Sequence, residues 1–426
     1  MSIAQTPIVL RVKSLFFSQF FMNVSQTFLT RILLIFFGLI TSVLISRTLG
    51  PEARGYYALA MLIGSVGIQF GNFGLHASNT YYVSRNKELL SPIISNSLFA
   101  SIFLSAVVVV VLSITFYFFP KTAPLKGSLL LMSFIMIPLG LSYLLLQNIL
   151  LATHQITQYN IIEIISKVLN LLLVVLLVTA GLLQVNILFA VTLFITFISF
   201  SLVLLRLNKL TVLKFHFSWS LFKDTFLYGI RAYFSSLFAF LVIRIDMLMV
   251  QQYLGAEKVG YYSTATTFID MLYILPTVIG TLIFPKLSGL DDEHRKRKLT
   301  VKTAILSAVV MLFISIFFYF IFDYVVVLLY GKAFLPASDP FRWLLPGVIF
   351  LSANTVLMNY FASSGMPVIT IISPGIALAI NIIINTYFIP KFGLVGASFS
   401  SSIAYFLMLL FSILYISFKK TNNERL

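Results

Sequence analysis

The sequence predicts an all-α integral membrane protein with about twelve transmembrane helices in two pseudo-symmetric six-helix lobes, related as a parallel repeat. Three observations carry this. Of the 426 residues, 59% are hydrophobic and only 10% charged, a balance that a soluble core cannot accommodate. The apolar residues fall in Leu- and Ile-rich runs of ~20 or more, without the alternating segments of a membrane β-barrel. Finally, Leu49-Gly50-Pro51-Glu52-Ala53-Arg54-Gly55-Tyr56-Tyr57 returns as Leu254-Gly255-Ala256-Glu257-Lys258-Val259-Gly260-Tyr261-Tyr262, each copy between two apolar segments. A repeat of this length in a polytopic chain is the mark of a secondary transporter.

Taken in order, the spans centre near Ile35, Gly67, Val107, Met136, Leu171 and Thr196, then Leu237, Ile274, Ile314, Val348, Leu378 and Leu407. The first run lacks a small-residue cleavage site and is followed by eleven more, so it reads as a retained helix. Residues 1–21, with Arg11 and Lys13 among large apolar side chains, read either as an amphipathic surface helix or as a tail.

Loop charge sets the expected orientation. With the N-terminus inside, seventeen Lys and Arg fall in cytoplasmic segments, including Arg85, Lys87, Arg206, Lys209, the run from Lys286 to Lys302 and Lys419-Lys420. Seven fall on the opposite face: Arg47, Arg54, Lys121, Lys126, Lys258, Lys332 and Lys391. Both termini are therefore expected in the cytoplasm. Much of the +16 net charge is topological, and His294-Arg295-Lys296-Arg297-Lys298 reads as an anchor at anionic lipid, with no nucleic-acid partner. The expected units are an amino-terminal lobe over 1–207, a cytoplasmic linker over 208–220 and a carboxy-terminal lobe over 221–426. In each repeat copy the glycines read as turn residues and the paired tyrosines as interfacial belt, so turn chemistry is preferred there to a binding site. Asn170 in the fifth span is echoed by Asn381 and Asn385 in the eleventh.

The stretch Ile45 to Ala60, with Leu49-Gly50-Pro51-Glu52 and Gly55-Tyr56-Tyr57 at its centre, resembles the segment after the first span in bacterial polysaccharide-biosynthesis membrane proteins, the O-antigen flippases of the Wzx type. In span number, loop lengths and repeat the similarity covers essentially the whole chain. Those proteins belong to the multidrug/oligosaccharidyl-lipid/polysaccharide exporter superfamily. The resemblance implies movement of an undecaprenyl-pyrophosphate-linked oligosaccharide to the outer leaflet of the cytoplasmic membrane, for O-antigen or lipopolysaccharide synthesis. It also implies a polysaccharide polymerase and a chain-length regulator as partners, beside membrane lipids.

Ionisable residues inside apolar runs are functional candidates, because each costs ~2.5–3.5 kcal/mol at the bilayer centre on insertion scales. Arg31 shares a stripe with Thr27, Gly38 and Ser42 in the first span and has no acidic neighbour in sequence. Arg231 and Arg244 lie in the seventh span, the repeat equivalent of the first. Guanidinium forks suit pyrophosphate, so these three are read as cavity cations, with snorkelling to the cytoplasmic surface as the alternative role of Arg231. Lys167 is either a fourth or half of a structural pair with Glu163, four residues away. Asp270 is the candidate for coupling to a cation or for titration, with a salt bridge to Arg244 as its competing role. Asp246 is a coupling or gating candidate that could instead pair with Arg244. Asp323, Asp339 and Arg342 read as structural or gating.

Enzyme chemistry is not expected. The chain has no cysteine, its histidines His76, His154, His216 and His294 are dispersed, and no phosphate-binding loop motif or metal spacing occurs. No cofactor is implied, with H+ or Na+ as the coupling ion. The rivals are a drug exporter, which calls for cavity acids where this chain has Arg31, and a membrane O-antigen polymerase, which calls for a large outer loop where every outer loop here is short.

Overall fold

The computed structural model describes the backbone of residues 7–213 and 215–423 and the side chains of residues 26, 28–213, 215–230 and 232–418. The amphipathic pattern expected over 1–21 and the side chain of Arg231 lie outside the described residues. The helices are α1 (Pro7–Asn72), α2 (Leu75–Arg85), α3 (Leu90–Phe118), α4 (Gly127–Ala152), α5 (Ile156–Thr179), α6 (Val185–Asn208), α7 (Trp219–Leu254), α8 (Ala256–Ser288), α9 (Glu293–Tyr330), α10 (Ser338–Ser363) and α11 (Ile369–Asn423). Among the described residues, ten helical segments are long and apolar enough to cross a membrane. Two of these, in α1 and α11, are double length and broken by Gly50 (φ 75°) and Gly393 (φ 60°). Each limb exceeds the ~20 residues that a crossing needs, so the chain makes about twelve crossings, as the sequence predicts.

Within the amino half, α1 packs on α4 and α5, and α4 on α2, α3 and α6; within the carboxy half, α10 packs on α8, α9 and α11, and α11 on α7. Between α6 and α7, Ser218 exchanges two hydrogen bonds with the Asn96 side chain on α3, at 2.8 and 2.9 Å. Ahead of the basic run, Asp292 caps α9 by accepting from the amides of His294 and Arg295. The Arg295 amide, helped by that of His294, holds its carboxyl below the usual range.

The repeat forms the junction between halves. Gly50 (φ 75°, ψ 178°) and Gly255 (φ 85°, ψ 176°) leave the helix with the same dihedrals, accessible to glycine at little cost, and Pro51 and Ala256 start the next limbs. One turn further on, Gly55 and Gly260 have a different job. A Cβ on Gly55 would lie 1.8 Å from the carbonyl oxygen of Ala256, and one on Gly260 would lie 1.9 Å from that of Pro51. The two copies therefore cross backbone to backbone, each second glycine seated on the first residue of the other copy's helix. Turn chemistry accounts for Gly50 and Gly255 only, which corrects the reading of all four as turn residues.

Apolar packing surrounds this crossing: Leu59, Leu62 and Ile63 of α1 meet Val250 of α7 and Val259 and Tyr262 of α8 in one buried cluster. Polar ties flank it, with the Ser42 and Tyr330 hydroxyls 2.9 Å apart and Arg47 donating to the carbonyls of Leu328 and Leu329. Near the far end, α2 and α7 also meet closely. A Cβ on Gly74 would lie 2.2 Å from the Gly229 carbonyl oxygen, and Tyr81 stacks on Tyr228 with ring centroids 4.3 Å apart.

A methyl group at the crossing forces the halves apart. Gly55→Ala or Gly260→Ala is expected to cost the sealed form about 1–3 kcal/mol, the usual range for overpacking, and so to lower its melting temperature. Labelling of a cysteine placed at Thr192, behind the seal, by an impermeant thiol reagent on the Gly50 face should rise at the same time. Unchanged labelling and melting would show that the contact is not a seal.

Candidate functional site

Behind the crossing lies a cavity of about 1650 Å³ walled by both halves. Its walls run from Tyr57, Thr192 and Thr267, next to the crossing, to Phe28, Ile156 and Pro285 at the other end. There the halves separate along α1 and α8. No residue of α1 before Leu39 belongs to a hydrophobic cluster among the described residues, and Phe28, Leu29, Leu282 and Phe284 are exposed. The cavity is sealed at the crossing and opens at the other end between α1 and α8, while α2 and α7 stay in contact near that end.

Among the described residues, five Lys, Arg, Asp or Glu side chains line it: Arg31, Lys167, Arg244, Glu163 and Asp270. Cations outnumber acids by three to two. Arg31 on α1 donates to Glu163 Oε2 at 3.0 Å and to the Tyr159 hydroxyl at 3.4 Å, while Gln147 on α4 donates to Glu163 Oε1 at 3.1 Å. Arg31 is therefore paired, contrary to the expectation drawn from its sequence neighbours, because α5 brings in an acid 132 residues away. Glu163 is thus engaged by α1 and α4, and it forms no salt bridge with Lys167, the other partner expected for it, among the described residues. One turn along α5, Lys167 makes no ion pair among the described residues and is exposed to the cavity. It is the cation in excess.

Arg244 on α7 forms an ion pair with Asp270 on α8 at 2.8 Å, the competing role foreseen for Asp270. Asp246 does not pair with Arg244. Two residues apart on a helix the side chains diverge, and Asp246 points away from the cavity, 1% exposed. It accepts from the hydroxyls of Tyr262 and Ser401 (2.9 Å) and from the Met247 amide (2.7 Å). Beyond Ser401 the network continues through Asn381 and Asn385, whose Oδ1 is buried and unpartnered. Asn170, their sequence echo, instead faces the cavity with its own Oδ1 unpartnered. Arg342 ties Asp323 (2.7 Å) to Asp339 (3.5 Å) outside this cavity, as read from sequence. A second cavity of about 400 Å³, without Lys, Arg, Asp or Glu among its described lining residues, lies between α2 of the amino half and helices of the carboxy half; it is bordered by His76, Ser236 and Asn359, and Tyr273 stands between the two cavities.

Arg54, assigned by sequence to an outer loop, lies in α1 and is 7% exposed. Sequence reasoning missed the parts played by Gln147, Glu163 and Arg54. Only Arg54 had a usable signal, being a charge just inside a helix that begins at the preceding glycine and proline.

A two-lobed, all-helical membrane fold enclosing a large charged cavity between its halves is a transporter architecture. The chain belongs to the polysaccharide biosynthesis protein family, whose model matches residues 44–339; that of the lipid II flippase MurJ matches residues 259–424. Among curated relatives, a capsular polysaccharide biosynthesis protein of Staphylococcus aureus is 24% identical over 209 residues, 48% of this chain and 53% of that one. A probable low-salt glycan biosynthesis flippase of Haloferax volcanii is 21% identical over 186 residues, 43% of this chain and 39% of that one. The chain spans about half the length of the curated relatives it matches. The structure of a lipid II flippase in an inward closed conformation superposes with a TM-score of 0.75 at 17% identity, covering 93% of this chain and 87% of that one. An inward-facing multidrug transporter of the MATE family gives 0.72 at 14% identity, covering 91% and 95%. An outward-facing one gives 0.63 at 14% identity, covering 95% and 96%. At these identities the likeness is one of fold.

The Arg31–Glu163 pair is partly solvated, so its coupling should be on the order of 1 kcal/mol. In a double-mutant cycle, Arg31→Ala and Glu163→Gln should each lower thermal stability, and the double variant should lose less than the sum. Additive losses would mean that the pair does not hold α1 against α5.

Proposed function

We propose that the protein is a flippase for a lipid-linked oligosaccharide carrying pyrophosphate, working by alternating access through the cavity between its halves. The observation that carries this reading is the surplus of cations over acids in a cavity walled by both lobes, since a cationic cleft selects an anion. The names of the relatives point the same way: capsular polysaccharide synthesis, glycan flippase, lipid II flippase. The cavity exceeds the ~300–1,000 Å³ of ordinary small-molecule sites, room that several hydrated sugar rings require.

In the inward-open state the pyrophosphate meets Lys167 first, as the cation with no carboxylate to displace. Arg31 can then exchange Glu163 for phosphate, donating two parallel hydrogen bonds. The polyprenyl tail stays in lipid, threading the gap between the unpacked ends of α1 and α8. Closure of that end and separation of Gly55 from Gly260 expose the sugars to the other side, with the linker over 208–220 as the tether about which the two lobes, 1–207 and 221–426, rock. Asp246 is the coupling residue: a buried carboxylate that forms no salt bridge among the described residues, ringed by Tyr262, Ser401 and Asn381, takes up H+ or Na+ at a cost set by its surroundings. Asp270 serves as a gate by holding Arg244 until substrate competes for it.

The sealed end corresponds to the outer face in this reading, with both termini in the cytoplasm and the chain in a bacterial inner membrane. The loop-charge bias supports it. A polymerase and a chain-length regulator are the partners the product calls for on the outer face.

Lys167→Gln and Arg31→Ala should each cut surface polysaccharide at least tenfold while lipid-linked oligosaccharide accumulates in the inner leaflet, and Arg31→Lys should restore part, because it keeps the charge and loses the fork. A drug exporter would change toxin sensitivity with glycan intact, and a polymerase would leave single repeat units on the outer leaflet. Either outcome removes the flippase reading.

Orientation is tested separately. A single cysteine at Arg297, in a chain that has no other, should react with an impermeant reagent only after the cells are opened; reaction in intact cells reverses the topology.

A further inference from the structure

Arg54 is buried, and no carboxylate pairs with it among the described residues. One terminal nitrogen donates to Thr267 Oγ1 at 3.2 Å, and its Nε is buried without a partner. Burying a guanidinium is tolerated where an opposite charge or full hydrogen bonding compensates it; here one hydroxyl does so in part. The fold does not require this cation. In the other copy of the repeat the same position is Val259, fully buried at the same crossing, so an apolar side chain satisfies the packing there.

The location of Arg54 suggests what the charge is for. Tyr57, one turn along α1, and Thr267, its hydrogen-bond partner, both line the cavity. Asp270, which holds Arg244, is one turn beyond Thr267 on the same helix. Arg54 thus sits directly behind the sealed end of the cavity, adjacent to Gly55, the residue whose backbone makes the seal. Any movement that separates Gly55 from Ala256 also moves Arg54 relative to Thr267 on α8.

We propose that Arg54 is an anion-binding cation of the outward-open state. When the repeat copies part, its guanidinium leaves Thr267, enters the opened cavity and takes the phosphate from Arg31 and Lys167 ahead of release. This rests on the flippase reading and adds to it a second phosphate station, present on one copy of the repeat and screened until the seal opens. Because a ligand shifts a conformational equilibrium only by its differential affinity for the two states, phosphate binding to Arg54 favours the open outer end at the step that must break the Gly55–Gly260 crossing.

The test uses the full chain in proteoliposomes, with undecaprenyl-pyrophosphate-linked oligosaccharide extracted from the source cells as the probe and its arrival in the far leaflet as the readout. Arg54→Val, which copies the other repeat, should melt at or above the wild-type temperature yet move the lipid at least tenfold more slowly, and Arg54→Lys should keep part of the rate. Arg54→Cys should be inactive, regain movement when modified with an aminoethyl thiosulfonate, and gain nothing from the neutral methyl reagent. Wild-type movement by Arg54→Val overturns the inference alone. A lower melting temperature in Arg54→Val, with no rescue of Arg54→Cys by the amine, makes Arg54 structural and overturns it too. A wild-type protein that leaves the lipid in place overturns the flippase reading and this inference with it.

Discussion

The organisation of this protein depends on two glycines that let two helices touch along their backbones. Gly55 and Gly260 occupy the same place in the two repeat copies, and each leaves no room for a side chain against the opposite copy. A contact of this kind is intolerant of expansion, because a packed interior cannot absorb even one methyl group without moving something. It therefore has two well-defined conditions, made or broken, and a gate needs that property. Clustered apolar residues of both halves surround the crossing, so making it also buries apolar surface, and breaking it carries a matching cost.

Electrostatics behind the gate follow from the same geometry. Arg31 and Arg244 enter the cavity from opposite halves, and each is held by a carboxylate, Glu163 or Asp270. An unpaired arginine in a partly dry cavity binds anions tightly but releases them slowly, whereas a paired one exchanges one carboxylate-like partner for another. Among the described residues, Lys167 leaves the cavity one positive charge beyond these two pairs. Asp246 stands apart from this set, in the carboxy half, where its network with Tyr262 and Ser401 ties α7 to α8 and α11. Since Tyr262 belongs to the repeat itself and Val259 of the same turn lies at the crossing, a change in the charge or ligation of Asp246 reaches the seal within one helical turn.

The fold was legible in the sequence because lipid imposes strong rules: long apolar runs, positive-φ glycines at helix breaks, and a repeat at nearly half the chain length. Ten helical segments with breaks at Gly50 and Gly393 match twelve apolar centres. The site was legible in part. Arg31, Lys167, Arg244 and Asp270 stand in one cavity as their cost in lipid suggested, but their partners come from elsewhere in the chain. Glu163 is brought to Arg31 by the packing of α1 on α5, and no local pattern encodes that packing. Lys167 looked like the partner of Glu163 because four-residue spacing is the local rule, and the tertiary contact overrode it. The crossing at Gly55 had a signal that went unused, since a second glycine a full turn inside each helix is not needed to reverse the chain.

In the proposed cycle the repeat copies meet in the inward-open form and separate during transport. The most direct measurement is a pulsed electron-spin distance between one label in the turn that precedes α1's second limb and one in the turn that precedes α8, on the full chain in lipid nanodiscs. The account predicts a single short distance in the absence of substrate and a second, longer population when lipid-linked oligosaccharide and the coupling ion are added. A short distance that persists under every condition, while transport proceeds in the same preparation, would contradict it.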